Sequence, residues 1–305
     1  MSLTGELRKP GSPVTGLVTF AAALVAGAKR GQPLEQPFKR LLELDSLPTQ
    51  VLVPPVDGAD GGVVGAASDY RLRYHLGPST SQRFIARAGA AYVAGTRGSA
   101  ASQLEWFFAN LDELTASLRP AGRHLDDSDE WLICRYCVVL GLLEAVFRTG
   151  GAWVPKLPGW HGSRSAPDAE PLLALAVDAA VRDVANLSRA PETAFGPLIA
   201  IANNGTVAFH PNPFFAGSAG IGGADADFVI GDTLFELKTS RKFDATAVRQ
   251  GLLQLVGYCL LDYDDTYRMR NVGLYFSRFG LGEGVATVDH RVPAGAGHPA
   301  DRGAA

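Results

Sequence analysis

Gly223–Ser240 reads GADADFVIGDTLFELKTS, and the fold turns on how this stretch bends. Gly231 and Asp232 are residue types that favour the two central positions of a tight hairpin. That turn makes Ile230 face Thr233, Phe228 face Phe235 and Asp227 face Glu236, with Asp225 opposite Lys238. Alternation then gathers the four charged residues on one face and leaves Phe228, Ile230, Phe235 and Leu237 to the other face as core. Two carboxylates opposed across an antiparallel pair repel unless something compensates. A divalent cation compensates, since Mg²⁺ or Mn²⁺ takes oxygen ligands from carboxylates, carbonyls and water. In that reading Asp227 and Glu236 bind the metal, the backbone carbonyl of Leu237 lies within reach between them, and Lys238 positions the attacking water beside a phosphate. The competing reading is a solvent-exposed hairpin whose outer face is merely charged, with Lys238 neutralising the acids.

Working outward, TVAFH (Thr206–His210) is rich in β-formers and precedes the hairpin, a helix is expected over Ala245–Leu261, and NVGLYFSRF (Asn271–Phe279) reads as a further strand. With a helix expected from Asp168 to Leu187, the order is helix, three strands, helix, strand. The helix after the hairpin carries Gln250, Gln254 and Tyr258 one turn apart on a single stripe. Gly220 and Gly222 form a fragment of a dinucleotide fingerprint. They lead into a strand rather than into a helix, so no helix N-terminus is offered to a phosphate. No GK[ST], GxSxG or HxxxH spacing occurs, which argues against P-loop, serine-hydrolase and simple zincin chemistry.

The N-terminal half reads as helical, with segments over Ser79–Gly95, Ala101–Leu118 and Ser128–Gly151, each starting near a capping residue and ending at Gly or Pro. Pro54–Ser68, PPVDGADGGVVGAAS, is Gly-rich without apolar periodicity and is expected to be a mobile loop. A Pro- and Gly-rich segment from Gly150 to Pro167 suggests a boundary between a helical region (1–160) and an α/β core (168–290), followed by a disordered tail (291–305). Arg8 and Lys9 ahead of LVTFAAALVAGA resemble a signal-peptide pattern, but Glu6, Pro10 and Pro13 interrupt it, and Thr15 is expected to cap an ordinary amphipathic helix. Cys134 and Cys137 form a CxxC inside an apolar helical run with no second ligand pair, so buried helix cysteines are expected rather than a metal site. Three cysteines in 305 residues point to a reducing, cytoplasmic compartment, and the runs are too short or too charged for a membrane span. With 47% hydrophobic and 19% charged residues the composition is that of a globular chain; its net charge of −3 means that any nucleic-acid surface must be a local patch.

The strand ending in Asp227, the tight turn and the apolar strand bearing Glu236-x-Lys238 resemble the signature of the PD-(D/E)XK (restriction endonuclease-like) nuclease superfamily. The element order resembles its αβββαβ core; Ala226 stands where the family pattern has Pro. QLVGY (Gln254–Tyr258) resembles the QxxxY element of RecB-like and lambda-exonuclease-like members, and NPFFAGSAGIGGADADFVI with NVGLYFSRFG resembles a group of uncharacterised bacterial proteins. The likeness covers Asp168 to Gly280. It implies a Mg²⁺- or Mn²⁺-dependent nuclease hydrolysing phosphodiester bonds in nucleic acid, with DNA the expected substrate and host defence or DNA processing the expected context. It also implies that Gln254 and Tyr258 orient substrate and that an acid from a helix, Glu144 or Asp183, completes the metal site. Lys238, Arg241, Lys242, Arg249 and Arg278 are the local cations available to phosphates. Two alternatives stay open: a non-catalytic nucleic-acid-binding or protein-interaction module retaining the fold, and a different phosphoryl-transfer enzyme. A homo-oligomer or a protein partner bound through the helical region is compatible with either.

Overall fold

The turn at Gly231 forms as its residue types require: φ is 61° there, the left-handed value that a two-residue hairpin opening on Gly demands. The computed structural model describes residues 3–25, 50–97, 100–152, 169–189, 196, 199–202, 205–221 and 223–279. The expected tail at 291–305, and most of the expected boundary segment, lie outside these. In chain order the helices are α1 (Leu3–Arg8), α2 (Pro13–Val25), α3 (Gly61–Leu76), α4 (Ile85–Thr96), α5 (Ala101–Leu118), α6 (Asp127–Arg148), α7 (Glu170–Leu173), α8 (Asp178–Ser188) and α9 (Ala245–Leu261). The strands are β1 (Phe209–Pro211), β2 (Phe228–Ile230), β3 (Thr233–Lys238) and β4 (Asn271–Phe276). The chain is thus mixed α/β, with one four-stranded mixed sheet among the described residues.

The sheet order is β1-β2-β3-β4, antiparallel through β3 and parallel between β3 and β4. A parallel pair needs a crossover, and α9 supplies it. The β2–β3 register is Phe228 with Phe235, Val229 with Leu234 and Ile230 with Thr233, as the turn dictates. Alternation does the rest. Phe228, Ile230, Phe235 and Leu237 bury one face together with Leu72, Leu76 and Tyr275, while Val229 and Leu234 bury the other with α9 and the N-terminal helices.

Three expectations are corrected. The Gly-rich stretch at 54–68 is not a loop throughout, because Asp60 Oδ1 accepts from Gly62 N–H at 2.9 Å and Val63 N–H at 3.1 Å and so starts α3 at Gly61. Its small residues serve close packing: a Cβ on Gly141 of α6 would stand 2.9 Å from the Val63 carbonyl, and one on Gly65 would stand 3.1 Å from the Thr239 hydroxyl. The helix expected over 168–187 is split into α7 and α8, which pack on the helical cluster around α3 and α6. It is α3, through Leu72 and Leu76, that covers the sheet. Finally, α2 begins at Pro13, an ideal first helical position, ahead of Thr15, whose hydroxyl instead donates to the Glu6 carbonyl at 2.8 Å.

Cys134 and Cys137 are buried in α6 as free thiols. No helix among the described residues is long and apolar enough to cross a membrane. Among the described glycines, the closest approach between helices is that of α4 to α6, where a Cβ on Gly89 would fall 1.7 Å from the Leu143 carbonyl oxygen. Backbone blocks it, so the helices must separate. Gly89→Ala is expected to destabilise the fold by about 1–3 kcal/mol, the range for overpacking a close-packed core, read as a lowered urea midpoint.

Candidate active site

Asp227 is the residue immediately before β2, and Glu236 and Lys238 lie on β3, so the hairpin delivers all three to one end of the sheet. Leu237 follows Glu236 on β3. Its N–H donates to Asp227 Oδ2 at 2.5 Å, while its side chain joins the core on the opposite face. Glu236 is 5% exposed, which excludes the solvated-face reading of the hairpin. Its Oε1 accepts from Lys238 Nζ at 2.8 Å, and its Oε2 is buried without a hydrogen-bond partner.

Lys238 is held from a second side. Its Nζ also donates to Gln254 Oε1 at 2.8 Å, and Gln254 Nε2 donates to the Tyr258 hydroxyl at 2.7 Å. The two α9 residues one turn apart therefore meet the hairpin as a single chain of contacts, Glu236 to Lys238 to Gln254 to Tyr258. Gln250, on the same stripe, is exposed and takes no part. An ammonium carries three protons. Two are committed, and the Lys238 side chain remains 25% exposed, so the third can reach a water or a phosphate oxygen.

A residue not anticipated from sequence completes the surroundings. Asp69 on α3 forms a bidentate ion pair with Arg73 through Oδ1 (3.0 Å) and Oδ2, and Arg73 in turn stands 4.0 Å from Asp227 Oδ1. Arg73 NH1 donates to Asn212 Oδ1 at 3.0 Å, and Asn212 N–H donates to the Asp227 carbonyl at 2.9 Å. Asn212 adopts a left-handed φ of 54°, a conformation that Asn tolerates better than most residues. Asp69 lies just past the stretch expected to be a loop, which takes in the first half of its helix; the signal available in sequence is Asp60 as a cap with Asp69 and Arg73 one turn apart.

The other expected residues divide. Glu144 accepts from Tyr70 Oη at 2.7 Å and Arg148 Nε at 2.6 Å, and Arg148 NH2 donates to Asp225 Oδ2 at 3.2 Å. Glu144 thus lies in the buried acidic neighbourhood of Asp69, already engaged by two donors. Asp183 is elsewhere, in a bidentate pair with Arg278 at 2.9 and 2.8 Å. That pair is buried, which removes Arg278 from the cations offered to phosphates. Asp225 does not pair with Lys238 across the hairpin, since the paired ladder ends at Phe228 and Asp225 instead bridges Phe214.

Burial dominates the electrostatics. It pushes the Asp227 carboxyl up to about 8, with the Glu236 charge adding to the effect and Arg73 opposing it. Burial also raises Glu236 against the pull of Lys238, and raises Asp69 and Asp225. Among the described residues no group of three or more His, Cys, Asp or Glu is arranged to hold a metal ion. Mg²⁺ asks for only one or two protein carboxylates, however, and two strained carboxylates with an unsatisfied Glu236 oxygen fit that requirement. No protein-family model, curated protein or solved structure matches the chain.

The sign of the pH dependence follows from the Asp227 shift. Its folded value of about 8 lies above the ordinary 3.8, so the folded state retains a proton that the unfolded chain releases between these values. Stability in EDTA should therefore fall as pH rises through that window. Thermal melting of chelated protein at about pH 5.5 and about pH 8 should show the loss, and Asp227→Asn should flatten it. A chelated wild type that is more stable at the higher pH would contradict the burial of this pair.

Proposed function

We propose that this chain is a divalent-metal-dependent nuclease of the restriction endonuclease-like type, hydrolysing phosphodiester bonds in nucleic acid, with DNA as the principal substrate. The observation that carries the reading is the buried pair Asp227 and Glu236 beside an anchored Lys238. Both acids are raised by burial, and one Glu236 oxygen has no partner. Burying carboxylates without full compensation is costly, and a site that retains that cost is a candidate for function. The order of three strands, α9 and β4 supports the same reading, as does the contact of Gln254 and Tyr258 with Lys238.

Asp227 and Glu236 are the residues that would hold Mg²⁺ or Mn²⁺, and Asp69 and Asp225 are the further acids whose charges bear on Glu236. A bound cation supplies charge stabilisation to a phosphoryl oxygen and to the departing oxygen. The chain's own contribution centres on Lys238. Glu236 and Gln254 fix two of its protons, so the third is aimed without further ordering, and preorganised donors act most strongly where water is restricted. Tyr258 orients Gln254 and hence Lys238. Leu237 N–H holds Asp227 in one rotamer against the Glu236 charge.

A second reading, a non-catalytic nucleic-acid-binding or interaction module, is favoured by one observation. Arg73 and Lys238 already place positive charge beside the two acids, which lessens the need for a metal. Calorimetry with Mg²⁺ and Mn²⁺ and cleavage assays on single- and double-stranded DNA and RNA separate the two. Asp227→Ala is expected to lose metal binding and cleavage together. Lys238→Ala should still bind metal and cleave about a hundredfold more slowly. Cleavage at the wild-type rate by either variant, or nucleic-acid binding indifferent to metal with no cleavage at all, would defeat the nuclease reading.

A further inference from the structure

Beside the acidic site lies a cavity of about 1330 Å³, larger than the roughly 300–1,000 Å³ of small-molecule sites. Asp227, Glu236 and Lys238 do not line it, but it shares a wall with their surroundings: Asn212 and Asp225 line it, the Asn212 N–H donates to the Asp227 carbonyl, and Arg148 links Asp225 to Glu144. Its walls combine aromatic rings with cations. Phe214 is 63% exposed, Tyr92 45% and Phe147 39%, and all three line this one cavity together with Arg83, Arg148 and His210. Large apolar side chains left in water at a single concave place mark a binding surface.

Phe214 is presented rather than loose. The Tyr267 hydroxyl accepts from its N–H at 3.0 Å and donates to its carbonyl at 3.1 Å, and its backbone bridges Asp225. A clamped backbone carrying an exposed ring is preorganised to stack on something flat. Tyr92 and Phe147 lie 6.5 Å apart between ring centroids, tilted by 58° to one another, and offer further ring faces in the same cavity. Arg83 is exposed at the rim, and Arg148 keeps 44% of its side chain exposed while bound to its two acids. Aromatic platforms interleaved with arginines in a groove are the means by which proteins hold unstacked bases and their backbone. A duplex presents no free base faces to such rings.

We infer that this cavity is a channel for a single-stranded polynucleotide, in which Phe214 and the Tyr92–Phe147 pair stack bases while Arg83 and Arg148 contact phosphates, holding a strand on the Asn212 and Asp225 side of the acidic site. The inference rests on the nuclease reading for its direction, and it specifies the substrate as single strands, flaps or frayed ends. A protein partner on the aromatic wall is the competing occupant.

The test uses the full chain in EDTA, where no turnover occurs, with fluorescence anisotropy of labelled strands of about 12 nucleotides, as DNA and as RNA, against a blunt duplex of the same sequence. Single strands of one or both chemistries should bind tighter than duplex, with affinity falling as salt rises. Phe214→Ala and Tyr92→Ala should each weaken single-strand binding roughly 5- to 100-fold. Tyr263→Ala, which removes an exposed ring outside the cavity, should leave it unchanged. Melting temperatures check that the variants fold. Duplex binding as tight as single-strand binding, or unchanged affinity in both cavity variants, overturns the channel and leaves the wall to a protein. Single-strand binding through these rings without cleavage in Mg²⁺ or Mn²⁺ would keep the channel and defeat only the nuclease reading; cleavage with undiminished affinity in both variants would do the reverse.

Discussion

A guanidinium with only 2% of its side chain exposed, that of Arg73, must be surrounded by acceptors or it would not stay folded inside. Meeting that demand organises much of the molecule. Asp69 comes from the preceding turn of the same helix, Asn212 from the residue just after β1, and Asp227 from the residue just before β2. One buried cation thereby fixes where α3 sits over the sheet, which turn of the chain follows β1, and how far Asp227 can move from Glu236. The hydrophobic contacts of Leu72 and Leu76 with Phe228 and Phe235 set the distance between the layers, and the charge fixes their sliding register. Removing any one acceptor leaves the others to carry a charge they were not arranged for.

The hairpin was legible because its information is local. Gly231 and Asp232 determine the turn, period-two alternation determines the faces, and the observed pairs agree down to Phe228 with Phe235. The stripe of Gln254 and Tyr258 was legible for the same reason, since helical spacing alone puts them on one side of α9. Neither signal says which neighbours are met. That Lys238 lies between Glu236 and Gln254 is a tertiary fact, settled by how α9 crosses from β3 to β4.

The helix at Gly61–Leu76 was not legible for a reason that lies outside its own residues. Gly61, Gly62 and Gly65 were weighed as conformational freedom, whereas Gly65 and Gly141 are small so that helices can approach one another and the end of β3. Composition cannot separate these roles, because the deciding atom is the Val63 carbonyl or the Thr239 hydroxyl on the other side of the gap. Asp69 and Arg73 belong to that helix, whereas Asp183, an acid that the family resemblance implied beside Glu144, is occupied by Arg278. The burial of Arg278 is likewise a tertiary fact that its sequence neighbours do not signal.

The two-residue turn at Gly231 also limits how this gene can change length. A single codon gained between Thr233 and Phe235 would exchange the two sides of the rest of β3, sending Glu236 toward the apolar layer under α3 and a phenyl ring toward Asp227. The same event beyond Lys238, where the paired ladder has ended, would leave the faces untouched. Divergent descendants of this chain should therefore vary in the segment after Ser240 and keep the spacing from Asp227 to Lys238 at constant parity, so that length polymorphism itself maps the part of the sheet under geometric constraint.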